Sequence, residues 1–558
     1  MRLSLTLMLL VVVAQSMVAA DERKPKKLTL KELVKQRKKM AQRRRRIIFN
    51  NDGDDIGRLG PRATKEGLAA SKHTNKVFPI SAAGFLDVRT TKLVGSHVDA
   101  IWYYSSWGMK LHHTNGPFAR MYGAPDTWQG GRSTKNYKAV RKQAGKDTLE
   151  LTIDFCRKHQ LEVFYSNRMN DIHDSFQTAN LYNLRRKYPQ WCLSTKAKGR
   201  KYSYPDVRSC WSAWNFAIPE VRRYTVEALR EVCRTYDIDG IELDFFRHFV
   251  YFPETMQFKP ATPAHIEMMT DMMRKIRRVA EEEGLRRGRP ILLAARCLED
   301  MELSRNTGLD VATWLKEDLV DLLSVAISTE YHPPFNDLTT FAKRFKTPVY
   351  PILAPLPTAS PNNLNSIPAR MKNLPVWRGQ ALSYFSQGVS GIQFFNMFDP
   401  TVPQWSELGE PKSLVMKNRT YVWDYRPSKR KTRPTFAQMR VSRYIKPVKV
   451  GRKSSPPMPL YVGEDLSKTA RQFKLRLRVR VHGLKRGHGF ELSLNDRRLS
   501  RPIARPALSD KSQTVWLYYG VAAGDFKEGL NPFVAKLASA GKEIVTVDQI
   551  RLDVRAME

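Results

Sequence analysis

The chain has 558 residues, 42% hydrophobic, 10% aromatic and 27% charged, and 94 Lys and Arg against 54 Asp and Glu leave a net charge of +40. This balance excludes a wholly disordered chain, a collagen-like fibre and a multi-span membrane protein, and the length suits roughly two to four domains. The 5 cysteines, an odd number, exclude a disulfide framework, and none of their spacings suits zinc.

Met1-Arg2 is basic, Leu3 to Val13 is apolar apart from Ser4 and Thr6, and Val18-Ala19-Ala20 supplies small residues. That is the pattern of a signal peptide over residues 1–20, cut after Ala20, and the apolar run is too short to span a bilayer. The expectation is an exported protein, periplasmic or extracellular, with no membrane span. Residues 21–46 follow with 13 Lys/Arg and 3 acidic residues and end in Arg43-Arg44-Arg45-Arg46. They read as an exposed basic arm with a helix around Leu28–Met40.

From Ile47 to about Phe398 strand-like runs alternate with helical patterns. The strands are Ile47–Asn50, Val98–Tyr104, Leu161–Asn167, Ile238–Asp244, Ile291–Arg296, Leu322–Thr329, Val349–Leu353 and Gly391–Phe395. Thr148–His159, Glu220–Tyr236, Pro263–Glu283 and Val311–Glu317 are the clearest helices. Strands and helices in alternation predict an α/β fold, a (β/α)8 TIM barrel over residues 47–440. The alternative, an open doubly wound sheet, usually carries a Gly-rich turn after its first strand, and none is present. The longest connections, Ser105–Gly145 and Asn167–Ala217, follow strands 2 and 3, at the end where such barrels build their sites.

Residues 441–459, with Pro456-Pro457-Met458-Pro459, read as a linker. Residues 460–558 predict a small β-sandwich. Phe473 to Val481 alternates strictly, with Lys or Arg at every outward position.

The most informative stretch is Asp239-Gly-Ile-Glu242-Leu-Asp244-Phe-Phe-Arg247-His248. Side chains alternate along a strand, so Ile241 and Leu243 face the helices while Gly240, Glu242 and Asp244 point into the barrel. Asp244 falls nearer the C-terminal mouth and Glu242 one layer deeper. On strand 6 the same alternation turns Ser324, Ala326, Ser328 and Glu330 inward, beside Tyr331 and His332. Strand 3 runs out into Arg168, Asp171, His173 and Asp174. Strand 5 ends on Arg296, strand 8 on Asn396, and strand 1 on Asp52, Asp54 and Asp55, which read as turn or ion-pair residues. Trp102, Tyr103 and Trp107 lie at the end of strand 2. Acids among aromatic rings suit glycoside hydrolysis, in which one carboxyl protonates the leaving oxygen and the other is nucleophile or base.

At these residues the sequence resembles bacterial glycosyl-hydrolase-like TIM-barrel proteins of the family-10-like group. The resemblance lies in Asp239-Gly-Ile-x-x-Asp244 with its following aromatic, Trp314 to Leu323, and Val389-Ser-Gly-Ile-Gln-Phe394, and it covers roughly residues 46–400. It implies polysaccharide hydrolysis and makes Asp244 the catalytic carry-over, without naming the partner acid. Chitinase-like barrels end the strand-4 acid series in Glu; Phe246 stands there, which weighs against a chitinase. The C-terminal sandwich resembles galactose-binding-type jelly rolls, which implies a carbohydrate-binding role.

The reading is therefore an exported glycoside hydrolase with Asp244 and Glu330 as the catalytic pair and Glu242 as a support. Trp102, Tyr103, Trp107, Arg168, Asp171, His173, Arg247, His248, Arg296, Tyr331, His332 and Asn396 are expected to line the substrate. No metal or other cofactor and no nucleic-acid partner is expected. The positive charge adds the expectation of a sulfated or uronate-containing polysaccharide. The rival readings are a non-catalytic carbohydrate-binding protein with a degenerate barrel, and a surface scaffold held to polyanions by residues 21–46.

Overall fold

The computed structural model describes residues 28–60, 77–104, 106–107, 110–111, 132–172, 175, 185, 187–194, 207–257, 259–326, 336–353, 374–424, 448–511, 513–538 and 543–557. The expected signal peptide lies outside them. No described helix is long and apolar enough to cross a membrane.

Eight parallel strands close into a barrel: β1 (Ile47–Asn51), β2 (Val98–Tyr103), β3 (Glu162–Arg168), β4 (Gly240–Asp244), β5 (Leu292–Leu298), β6 (Leu322–Ala326), β7 (Val349–Leu353) and β8 (Ile392–Phe394), with β8 pairing back onto β1. Each strand matches a predicted one to within a few residues at its ends. The helices outside include α1 (Leu30–Ala41), which precedes the barrel, then α2 (Ala82–Arg89), α3 (Thr148–Lys158), α4 (Pro219–Thr235), α5 (Pro263–Arg287), α6 (Val311–Lys316), α7 (Asn336–Arg344) and α8 (Leu374–Phe385). Their starts follow local chemistry. Asp147 caps α3, accepting from the amides of Leu149 and Glu150, while Glu150 reaches back to the Asp147 amide. Pro occupies the first turn of α4 and α5, where no intrahelical N–H is needed.

Parity along the strands decides which side chains fill the barrel. Ile47, Phe49, Ile241, Leu243, Leu323 and Val325 face the helices and join the main core. Ile48, Ala100, Trp102, Phe164, Leu292, Ala294, Leu322 and Tyr350 form a separate apolar cluster inside. Gly240 is required there, because a Cβ on it would lie 2.6 Å from the Phe164 ring and 2.7 Å from the Leu292 carbonyl oxygen.

Residues 30–46 are not the exposed arm that their charge suggested. Leu33 and Ala41 are buried, and Ala41 packs onto the apolar cluster inside the barrel. Arg45 is fully buried and grips Glu162 through Nε (2.5 Å) and Nη2 (2.6 Å), donating also to the carbonyls of Ala41, Met40 and Arg43. Arg37 is held by Asp321 at 2.8 Å and by Asp318 at 2.5 Å. Acids at the bottom of the barrel thus turn part of a basic run into a plug, since a buried guanidinium is tolerable only when paired.

The C-terminal region forms two antiparallel sheets. One contains β9 (Arg419–Asp424), β10 (Val448–Val450), β12 (Phe473–Leu484), β15 (Gln513–Tyr519) and β17 (Val545–Ala556), in the order β9-β17-β12-β15 with β10 also on β17. The other has the order β11 (Met458–Val462), β16 (Gly529–Leu537), β13 (Phe490–Leu494), β14 (Arg497–Arg498). The expected linker 441–459 therefore contains β10 and the start of β11, and β9 joins the sandwich from the stretch assigned to the barrel. Prolines hid them: Pro459 occupies β11, which among the described residues pairs with β16 alone. The sandwich docks directly on α8. A Cβ on Gly379 would lie 2.3 Å from the Thr420 carbonyl oxygen, and one on Gly463 2.3 Å from the Leu382 carbonyl carbon.

Candidate active site

The C-terminal ends of the barrel strands carry two polar layers. The lower is centred on Glu242, which is fully buried. Its Oε1 accepts from Arg296 Nε (2.8 Å) and Gln393 Nε2 (3.0 Å), and its Oε2 from Ser166 Oγ (2.5 Å) and Asn50 Nδ2 (3.0 Å). Ser324 Oγ donates to Gln393 Oε1. One carboxylate thus ties together β1, β3, β4, β5 and β8, and β6 through Gln393. Burial pushes the Glu242 carboxyl above its usual range, and Arg296 and the hydrogen bonds oppose this only in part.

Asp244 lies above, also buried. Oδ1 accepts from the amides of Phe246 (3.0 Å) and Arg247 (3.0 Å), and Oδ2 faces Arg296 Nη1 at 3.1 Å. Arg296 Nη2 lies 2.6 Å from Glu242 Oε1, so one guanidinium bridges both acids. The rings of the β8 terminus complete the floor: the guanidinium carbons of Arg296 and Arg247 lie 5.0 and 5.8 Å from the Phe395 centroid. Among the described residues the two amides and Arg296 all offer N–H groups to Asp244, which fixes its rotamer.

A second charge cluster spans the ends of β1, β2 and β3. Arg168 pairs with Asp52 and with Asp171 (2.8 Å), stacks 4.1 Å over the Tyr104 ring, and Tyr104 Oη donates to Asp171 at 3.3 Å. Burial would raise the Asp52 carboxyl, but Arg168, Arg247 and Arg89 around it hold it below the usual range. Asp54 is brought to about 2, since Arg89 and Arg58 outweigh its burial. Asp55, buried beside them, is pushed up to about 6 by burial, with Asn51 donating to it at 2.8 Å.

The predicted site residues divide. Asp244, Glu242, Arg168, Asp171, Arg247, Arg296 and Asn396 all lie at the strand ends, Asn396 half-buried with φ at 56°. Arg296 is fully buried, with its guanidinium against the two acids. Trp102 points into the barrel. It stacks on Phe164 (5.0 Å, 11°) inside the barrel, with no exposed surface. Tyr103 faces the opposite way and meets Phe85 of α2 edge-on at 6.2 Å. Aromatic content alone does not distinguish a rim ring from a core ring. His248 is buried, its Nδ1 3.3 Å from the Asn170 carbonyl oxygen, and knits the β3 and β4 loops together. Glu330, His173, Tyr331 and His332 lie outside the described residues, as does the side chain of Trp107. Asn50, Ser166 and Gln393 were missed, although the alternation that turned Glu242 inward also turns Asn50 inward on β1 and Ser166 inward on β3.

The segment that carries Arg168, Asp171, Glu242, Asp244 and Arg247 is also the one that a family model matches. Residues 125–271 match glycosyl hydrolase-like 10. No curated protein matches the chain. Among solved structures this chain is similar to the PgaB (BpsB) glycoside hydrolase domain from Bordetella bronchiseptica, at 12% identity and TM-score 0.37, over 66% of this chain and 99% of that one. It is also similar to alpha-L-fucosidase isoenzyme 2 from Paenibacillus thiaminolyticus (14%, TM-score 0.39, 67% and 49%) and to a family GH18 chitinase from Chromobacterium violaceum (10%, TM-score 0.32, 93% and 92%).

Proposed function

We propose that this protein is an exported glycoside hydrolase that cleaves a polysaccharide, with Asp244 as the carboxylate that acts on the sugar as nucleophile or as base toward water. The supporting observation is the fixing of Asp244 at the barrel mouth by two backbone amides and Arg296. Arg296, shared with Glu242, holds the carboxylate in place, and Glu242 in turn locks Arg296 through Asn50, Ser166 and Gln393. Glu330 is the proposed acid partner. In a retaining enzyme the two carboxyl groups stand about 5–5.5 Å apart, and in an inverting one about 6.5–9.5 Å, leaving room for water. The excess of 94 Lys and Arg over 54 Asp and Glu gives an anionic sugar, uronate or sulfate ester, a favourable approach.

The test is release of new reducing ends from uronate-rich, sulfated and neutral polysaccharides by the wild type, Asp244→Asn and Glu330→Gln. Release by the wild type, lowered at least a hundredfold in both variants, is expected. Release from no glycan, together with binding that Asp244→Asn leaves intact, would replace this reading with the binding-protein one.

A further inference from the structure

We infer that the outward face of the five-stranded sheet, around β12, binds an anionic polysaccharide chain, uronate or sulfate ester in type. The choice of a polysaccharide among polyanions rests on the glycosidase reading of the barrel.

The inward residues of β12, Leu477, Val479 and Val481, are fully buried and account for its packing. Nothing in that packing dictates the outward side, which carries Lys474, Arg476, Arg478 and Arg480, successive positions about 7 Å apart along the strand. The register makes this costly for the free protein. Lys474 is directly opposite Arg555 on β17, and Arg478 directly opposite Arg551. Like charges in that position destabilise a sheet. The two strands set these six cations against two carboxylates, Asp553 and Asp548, which pair with Arg478 at 2.8 Å and Arg480 at 2.7 Å. A polyanion laid on the face offsets the repulsion between Lys474 and Arg555.

The neighbouring strand adds flat rings among the charges. Trp516 and Tyr518 of β15 are half-buried and stand opposite Arg480 and Arg478. The guanidinium carbons of Arg478 and Arg480 lie 5.6 and 5.5 Å from the Trp516 ring centre. A sugar chain can lay a C–H face on Trp516 while its carboxylate or sulfate oxygens reach Lys474 and Arg476 further along β12, since the forks of Arg478 and Arg480 are held by Asp553 and Asp548. Lys474 and Arg476 are exposed, and so accessible to a chain.

The experiment measures binding of the full chain to polygalacturonate, dextran sulfate, neutral dextran and single-stranded DNA at 0.1 M salt. The variants are Lys474→Gln with Arg476→Gln, Trp516→Ala, and Arg497→Gln, exposed on the other sheet, as a control. Expected is tight binding to one or both acidic polysaccharides, lowered at least tenfold by the double variant and by Trp516→Ala and unchanged by Arg497→Gln; the preferred polymer tells uronate from sulfate. Arg476→Gln alone, at an exposed position, is expected to weaken binding severalfold without altering thermal unfolding. Acidic-polysaccharide binding that the β12 variants leave unchanged, or single-stranded DNA held as tightly as either polysaccharide, would overturn the inference. Reducing-end release with β12 variants that bind normally leaves the glycosidase reading standing and removes this one. Loss of binding in those variants, with no release from any glycan by the wild type, does the reverse.

Discussion

Replacing Arg296 by Met tests whether the buried ion network holds the barrel mouth together. Arg296 has no exposed surface, and its two Nη atoms lie 2.6 Å from Glu242 and 3.1 Å from Asp244. Two unit charges about 3 Å apart attract by roughly 5 kcal/mol at an effective dielectric constant of about 20. Solvation that the arginine no longer forfeits offsets part of this, and removal of one member of a buried pair costs about 3–5 kcal/mol in practice. Met fills similar volume, so cavity formation adds little. Urea unfolding followed by circular dichroism at pH 7 should show that loss at unchanged slope. Burial already pushes Glu242 upward, and without Arg296 it rises further. A carboxyl whose folded value exceeds its unfolded one binds its proton more tightly in the native state. Its cost therefore grows as pH rises and is relieved as pH falls. The deficit of Arg296→Met should thus shrink between pH 7 and pH 5, and the added change Glu242→Gln should recover part of it at pH 7. A deficit below about 1 kcal/mol, or one that grows on acidification, would refute the reasoning.

Asp147, pushed up to about 6 by burial, accepts from the Tyr236 hydroxyl at 2.7 Å and caps α3. It costs stability as pH rises from about 4 to 6, by at most about 3 kcal/mol. Asp147→Asn keeps the cap, so a flatter pH dependence of unfolding over that window is expected, with higher stability at pH 7; an unchanged slope would refute it. Deleting residues 1–46 takes Arg45 from Glu162 and Arg37 from Asp321, which keeps Arg277, and should abolish cooperative unfolding of the barrel; a chain that folds unchanged would restore the free-arm picture. Gly379→Ala places a Cβ 2.3 Å from the Thr420 carbonyl, and limited proteolysis should then cut between barrel and sandwich at a rate several times that of the wild type.

The sequence by itself determined the barrel. Hydrophobic runs and helix starts are local, and a period of two on β4 placed Ile241 and Leu243 outside and Glu242 and Asp244 inside without any tertiary information. The same period, left unapplied on β1 and β3, would have found Asn50 and Ser166. What only the tertiary structure decided are partners distant in sequence. Arg37 and Arg45 look like a solvated basic run until Asp321 and Glu162, 284 and 117 residues away, enclose them. Trp102 looks like a sugar platform until barrel closure sets it beneath the polar layer, against Phe164. Arg296 looks like a cleft residue until β4 and β5 lie side by side and its guanidinium takes up two carboxylates. Charge and aromaticity are properties of a residue, but burial and pairing belong to the neighbours that folding supplies.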